Sequence, residues 1–301
     1  MKVTIKDIAK KVGVTPATVS MVINNSPKIS QKTKERVLKT IKEMNYHPNY
    51  IGRSLVKGKT NNIGVITSFF ASLFALESIR GIELNLRETD YNLVLFSTRG
   101  MEETGRELLM RILYEKRVDG LIIISLRPDK ELMDEYKQNK IPVVLIEEFV
   151  RGISTVKFNN IKAAWLATEY IIKKNRKNIG LIIGNRGLTA EERLRGFKDA
   201  LEKYNIEFDK NKIVEVVDHS FEDGFHSLDI LLEKNSKIDA IFCAAGDVTA
   251  MGVMKRAKEK GIRIPEDIGI VGFDDLFIAG LSFPALTTVH QPIINMGMKS
   301  F

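Results

Sequence analysis

Apolar residues near the start of the chain recur at helical spacing. Ile5, Ile8, Ala9 and Val12 fall at i, i+3, i+4 and i+7, one stripe of a short amphipathic helix. Thr4 stands before it with Asp7 three residues later, the pattern of a capping box, and Gly13 ends it. A second helix follows at once. Thr15 is its cap, Pro16 takes the first helical position where a missing N–H costs nothing, and Val19, Val22 and Ile23 face inward. A third begins after Ser30 and is expected to bury Val37, Leu38, Ile41 and Met44. Two short helices joined by a glycine turn, with a third closing a small core, make the helix-turn-helix plan.

Beyond Asn61 the period changes. Short apolar, β-branched runs occur at Ile63 to Thr67, Leu93 to Phe96, Gly120 to Ile124, Val143 to Glu147, Ile179 to Ile183, Ile213 to Val217, Ala240 to Cys243 and Ile268 to Phe273. Between them lie segments of helical character, among them Glu102 to Lys116, Asn160 to Lys174, Ala190 to Tyr204 and Asp247 to Lys260. Strands alternating with helices predict parallel sheets covered on both faces, and eight strands predict two of them. The boundary is expected near Asn159, with Val156 to Asn159 as the connecting strand.

Composition adds the compartment and the charge. The 301 residues are 44% hydrophobic and 28% charged, ordinary globular values. One cysteine, Cys243, excludes an internal disulfide; no signal-like apolar run opens the chain and no apolar run approaches a membrane span, so a cytoplasmic location without membrane association is expected. The net charge of +8 is unevenly spread. Residues 1–60 hold 13 Lys+Arg against 3 Asp+Glu, while the remainder holds 33 against 35. A solvated lysine-rich surface accounts for this, and so does a basic module that grips a polyanion.

The first segment carries a specific resemblance. The run from Thr4 to Leu55, with "GVTPATVS", "IS" before "TKERV", and "NYHPN" in order, resembles the DNA-binding headpiece of the LacI/GalR family of bacterial transcriptional regulators. The resemblance implies that Thr15, Pro16, Ala17, Ser20, Met21 and Asn24 face DNA. Small apolar Pro16 and Ala17 suit close approach to thymine methyls, and Thr15, Ser20 and Asn24 suit phosphates or base edges. Met21 stands where the family usually has arginine, so operator preference does not carry over from relatives. Asn49 to Lys57 resembles the family's hinge helix, with Leu55 as the residue that wedges the minor groove. Gly52 replaces the usual alanine and should weaken that helix by about 1 kcal/mol. A basic interdomain linker is the alternative.

The body resembles the periplasmic-binding-protein-like part of the same family, through "RGIE", "RVDGLII", "IPVVLIE", "ERLRGF" and "IPEDIGIVGFDD". The implied architecture is a small all-α helix-turn-helix headpiece (1–48), a hinge and linker (49–60) and an α/β body of two parallel-sheet lobes (61–301). Within the body, 61–159 form the first lobe, 160–290 the second, and 291–301 cross back. Relatives continue beyond the point matching Phe301, so a truncated closing helix and an unpaired sheet edge are expected. The implied effector residues are Phe74, Glu147, Arg193, His219, Asp247 and Asp274. Arg193 would donate a fork of hydrogen bonds to ligand oxygens. Helix capping accounts for Asp247 as well as ligand contact does, Glu147 has the reach to serve the hinge, and Phe74 fits a helix core as well as a sugar face. Ser72 and Leu73 replace the family's Asn-Pro, Gly246 a common asparagine, His219 a common aromatic, and Ile124 is apolar where one relative is polar.

The expectation is therefore a homodimer, nothing larger, that binds a near-palindromic double-stranded operator, usually as a repressor, under a small carbohydrate-like effector. No cofactor and no metal are expected. An α/β enzyme is the first rival, but the chain has no G-x-x-x-x-G-K-[ST] loop, no G-x-G-x-x-G fingerprint and no H-E-x-x-H pair. His47, His219, His226 and His290 are scattered, and Cys243 reads as a buried thiol. An extracytoplasmic solute-binding protein is the second rival, with no use for a basic headpiece.

Overall fold

The computed structural model describes residues 3–47, 58–185, 187–235 and 237–301, and the chain divides into two compact units, Met1–Asn61 and Asn62–Phe301. The first unit contains α1 (Ile5–Val12), α2 (Pro16–Ile23) and α3 (Gln31–Glu43). Asp7 accepts hydrogen bonds from the Thr4 backbone N–H and hydroxyl at 2.8 and 2.7 Å, which hold its carboxyl below the usual range. Gly13 leaves α1 at φ 77°, a left-handed turn open to glycine. Thr15 Oγ1 accepts from Thr18 N at 3.1 Å to cap α2, and Ser30 caps α3. Ile8, Ala9, Val12, Val19, Val22 and Val37 are buried together, and Arg36 donates to the Val12 carbonyl at 2.6 Å to fasten α3 to α1.

Leu38 corrects the sequence reading: it is 53% exposed, and Thr40 is buried in its stead, with its hydroxyl donating to the Arg36 carbonyl. The cause is angular. At about 100° per residue, positions 40, 41 and 44 return to within about 60° of Val37, whereas position 38 is a full step away.

The second unit holds two five-stranded sheets, every pairing parallel. The first lobe runs β1 (Asn62–Thr67), α4 (Leu73–Leu86), β2 (Asn92–Ser97), α5 (Glu102–Tyr114), β3 (Gly120–Ile124), α6 (Lys130–Gln138), β4 (Val143–Ile146) and β5 (Ser154–Val156). The second runs α7 (Asn160–Lys173), β6 (Ile179–Gly184), α8 (Leu188–Lys203), β7 (Ile213–Val216), α9 (Phe221–Lys234), β8 (Ala240–Cys243), α10 (Asp247–Glu259), β9 (Gly269–Asp274) and β10 (Thr287–His290). A last helix, α11 (Ile293–Ser300), returns to pack on α4, β4 and β5.

The strand orders are β2-β1-β3-β4-β5 and β7-β6-β8-β9-β10, so each lobe places its own second, first, third, fourth and fifth strands in that sequence. β3, β6 and β8 are buried along their whole length, as strands covered on both faces must be. The connecting strand lies earlier than the sequence suggested. β5 covers Ser154–Val156 because it pairs in register with β4, whose last residue Ile146 faces Val156.

Helices flanking the sheets approach one another at glycines. A Cβ on Gly81 of α4 would overlap the Ile294 carbonyl of α11, and one on Gly297 would overlap the Ser78 carbonyl. Gly196 joins α8 to α7 in the same way, and Gly224 and Gly252 join α9 to α10. These contacts set the spacing of the layers that carry the residues described next.

Candidate functional site

In the first unit the six expected DNA-facing residues lie on α2 or its caps. Thr15, Pro16, Ala17 and Met21 are exposed, and Ser20 and Asn24 are half-buried. Positions 16, 17, 20, 21 and 24 share one side of the helix. α2 itself carries no charge, and the flanking helices supply exposed Lys6, Lys10, Lys11, Lys32, Lys39 and Lys42. Small uncharged side chains permit close approach to a surface, and exposed lysines on neighbouring helices are able to meet phosphate. Asn24 donates to the Ser20 carbonyl at 3.0 Å, while its Oδ1 has no partner among the described residues. Leu55, Gly52 and the whole hinge segment Asn49 to Lys57 lie outside the described residues.

In the second unit, the carboxyl ends of the strands gather the charged candidates. Arg193, in the second turn of α8, is buried; its Nε donates to Asn160 Oδ1 and its Nη1 to the Ala244 carbonyl, each at 2.8 Å. The guanidinium lies 3.6 Å from the centre of the Phe273 ring, and Nη2 is 4.0 Å from Asp274 Oδ1. Burial pulls Arg193 below its ordinary value, and Asp274, Glu147, Glu192 and Asp247 oppose that pull.

Asp274 ends β9 at φ 112°. Burial raises its pKa to about 8; Arg193 opposes the rise, and Asp247 and Glu147 add to it. Burial thus favours the protonated form, which can donate a hydrogen bond. Gly246, at φ 122°, accommodates it, since a Cβ there would stand 2.9 Å from Asp274 Oδ2.

Asp247 does not cap its helix, contrary to one of the sequence readings. The cap position is Gly246, and the Asp247 carboxylate accepts from Leu276 N at 2.8 Å and Thr288 Oγ1 at 2.6 Å, binding α10 to the β9–β10 connection. Burial raises its pKa to about 6. Glu147, at φ 62°, is equally committed: Oε1 accepts from Phe158 N at 2.7 Å and Oε2 from Asn160 Nδ2 at 2.8 Å. His219 donates from Nδ1 to the Ala245 carbonyl at 2.9 Å, with its ring beside Gly184. Although the residue is open to solvent overall, burial of its ring lowers its pKa. Phe74 is half-buried in the first-lobe core among Val65, Ile79 and Ile82.

The two lobes meet at this end. Besides the Glu147–Asn160 bond, Glu148 accepts from Leu188 N at 3.5 Å, and Lys157 pairs with Glu192 at 2.6 Å. The carboxyl ends of both sheets thus lie at the seam between the lobes, the end at which open α/β sheets bind ligands. Sequence reasoning missed three residues there. Phe273 was visible only as part of an apolar run, and Asn160 only as the second of two asparagines before a helix. Gln291, buried with its Oε1 unpartnered among the described residues and donating its backbone N–H to the Asp274 carbonyl at 3.3 Å, gave no signal. Among the described residues no cluster of His, Cys, Asp and Glu is arranged to hold a metal ion, and no helix is long and apolar enough to cross a membrane.

Residues 4–49 match the family model of bacterial regulatory proteins, lacI family, and residues 60–301 match that of periplasmic binding proteins and sugar binding domain of LacI family. The chain belongs to the LacI family. The HTH-type transcriptional repressor PurR of Vibrio atlanticus is 35% identical over 302 residues, covering 99% of this chain and 90% of PurR. Catabolite control protein A of Priestia megaterium is 33% identical, with the same coverage. Among solved structures, the lac repressor dimer bound to operator and the anti-inducer ONPF aligns at TM-score 0.84 with 26% identity, over 100% of this chain and 91% of that one. The transcriptional regulator CelR in complex with cellobiose aligns at 0.72 with 28% identity, over 99% and 91%. This LacI-family chain is a DNA-binding transcriptional regulator with an effector-binding body. Its relatives are regulators, not enzymes, and a solute-binding protein would match the second model without the first.

Proposed function

We propose that the protein acts in the cytoplasm as a homodimeric repressor. Thr15, Pro16, Ala17, Ser20, Met21 and Asn24 of each subunit read a half-site in the major groove of a near-palindromic operator. Residues 49–57 serve as the hinge, with Leu55 entering the minor groove. A small carbohydrate binds in the gap between the lobes, held by the free edge of Arg193, by Asp274 and by His219, with Phe74 on the first-lobe side. Glu147 and Asp247 build the walls of that gap, since their oxygens are spent on protein donors. Ligand binding shifts the balance between two arrangements of the lobes, and DNA affinity changes by the difference in ligand affinity between them.

The observation that carries this reading is the convergence of Arg193 and Asp274 at the carboxyl ends of the second sheet, a guanidinium donor beside a buried carboxyl. The relative solved with cellobiose supports the ligand class. The test is a gel-shift selection of genomic fragments with the full chain, repeated with cellobiose and other mono- and disaccharides. Retained fragments should share a two-fold symmetric motif, and at least one sugar should change their retention. Retention without sequence preference, or none at low salt, overturns the proposal.

A further inference from the structure

We propose that Asn160 is a positioning residue: it relays the position of the first lobe to the Arg193 guanidinium, so that the donor facing the gap is held most firmly while Glu147 holds Asn160. The inference rests on the reading of that gap as the effector site, but the geometry behind it does not.

Asn160 is fully buried at the first position of α7, in the second lobe, and Glu147, 2% exposed, follows β4 in the first. The Asn160 amide joins them in a chain. Nδ2 donates to Glu147 Oε2 at 2.8 Å, and Oδ1 accepts from Arg193 Nε at 2.8 Å. Only one amide orientation satisfies both partners, because a carboxylate can only accept and a guanidinium can only donate. Both ends of the chain are charged, so each bond is of the stronger kind.

The same guanidinium is fixed on two other sides, by the Ala244 carbonyl and by the Phe273 ring. With Nε and Nη1 taken, Nη2 is the group left to point toward Asp274 and a ligand. If the lobes part, Glu147 moves with β4 and the amide loses its charged acceptor, keeping only the longer bond to the Phe158 carbonyl at 3.5 Å, so its hold on Arg193 Nε loosens. The relay thus couples lobe closure to the aim of one hydrogen-bond donor.

The test exchanges donor and acceptor along the chain. In Asn160→Ala both bonds are lost. In Asn160→Asp the new carboxylate keeps Arg193 but repels Glu147, and in Glu147→Gln two amides compete for one orientation. In the double variant Glu147→Gln/Asn160→Asp, the amide introduced at position 147 donates to the carboxylate introduced at position 160. That carboxylate also accepts from Arg193, which restores both bonds of the relay and the net charge. The readout is the side-chain Nε–H resonance of Arg193 in the full-length protein labelled with 15N-arginine, assigned by its loss in Arg193→Lys. Solvent exchange of that proton should accelerate about tenfold or more in each of Asn160→Ala and Glu147→Gln, the scale of one lost hydrogen bond to a charged group. The double variant should return to within about threefold of the parent, and its melting temperature should exceed that of either single variant.

Unchanged exchange in the single variants, or a double variant no better than the worse single one, overturns the relay. If a single variant fails to fold, recovery of folding and of the protected resonance in the double variant decides the matter, and its failure to recover counts against the proposal. Failure of the effector reading shows separately, as a parent protein whose melting temperature no carbohydrate moves.

Discussion

Asp274 combines two unfavourable conditions, a backbone at φ 112° and a carboxyl removed from water beside two other acids. Non-glycine residues held in such conformations cost of order 1–3 kcal/mol and persist where the surroundings enforce them. The titration has a definite sign. Its folded pKa, about 8, lies above the ordinary carboxyl value of 3.8, so the native state binds more protons than the unfolded chain between those limits. Stability from this group therefore falls as pH rises through that window. Asp274→Asn, which mimics the protonated form, should flatten the decline. The drop in melting temperature from pH 5 to pH 8 should shrink by about 3 °C or more relative to the parent, measured by calorimetry. Arg193 and Asp274 were legible because each sits in a run of several matching residues. Asn160 and Gln291 were not, since their importance comes from partners far along the chain, Glu147 and Arg193 for one and Asp274 for the other, which no local pattern reveals.

Among the elements, α4 and α11 show how little space separates helices that cover the first sheet. Gly81→Ala would force a methyl group into the Ile294 carbonyl, and a backbone atom cannot swing aside as a side chain can. The expected loss is about 2 kcal/mol or more by urea denaturation, against a helix-propensity gain of about 1 kcal/mol for alanine over glycine. A stability equal to or above the parent would show that α11 can shift. The strands were readable as elements because parallel strands buried on both faces are continuous apolar runs. β10 escaped because Thr287–His290 is short and partly polar, an edge strand whose place is set by pairing with β9. The headpiece helices were readable to their caps, because Thr4, Thr15 and Ser30 act within a single turn of backbone. Leu38 misled because hydrophobicity was counted without its angle on the helix.

At the scale of the whole molecule, charge and architecture divide at the same place. The excess of cations lies in residues 1–60, and the contact boundary falls at Asn61. Deleting Met1 to Gly58 should leave a monodisperse body with a single cooperative unfolding transition and no measurable retention of operator fragments in a gel shift. Sequence-specific retention by the deleted protein would move DNA recognition into the body. The two-lobe plan was legible from the alternation of strands and helices, but the gap where the lobes meet was not. It is built by side chains on either side of a long crossover, and only the folded chain brings them together.

The return of α11 to α4 also orders events during synthesis. The first lobe receives the helix that seats against Gly81 only after the entire second lobe has been translated. A chain emerging from the ribosome at about 5–20 residues per second thus exposes an uncovered α4 for the roughly ten seconds or more needed to make the intervening segment. The lobe encoded earlier is the one completed later, and a nascent protein stalled before Ile293 would present a finished second lobe beside an unfinished first.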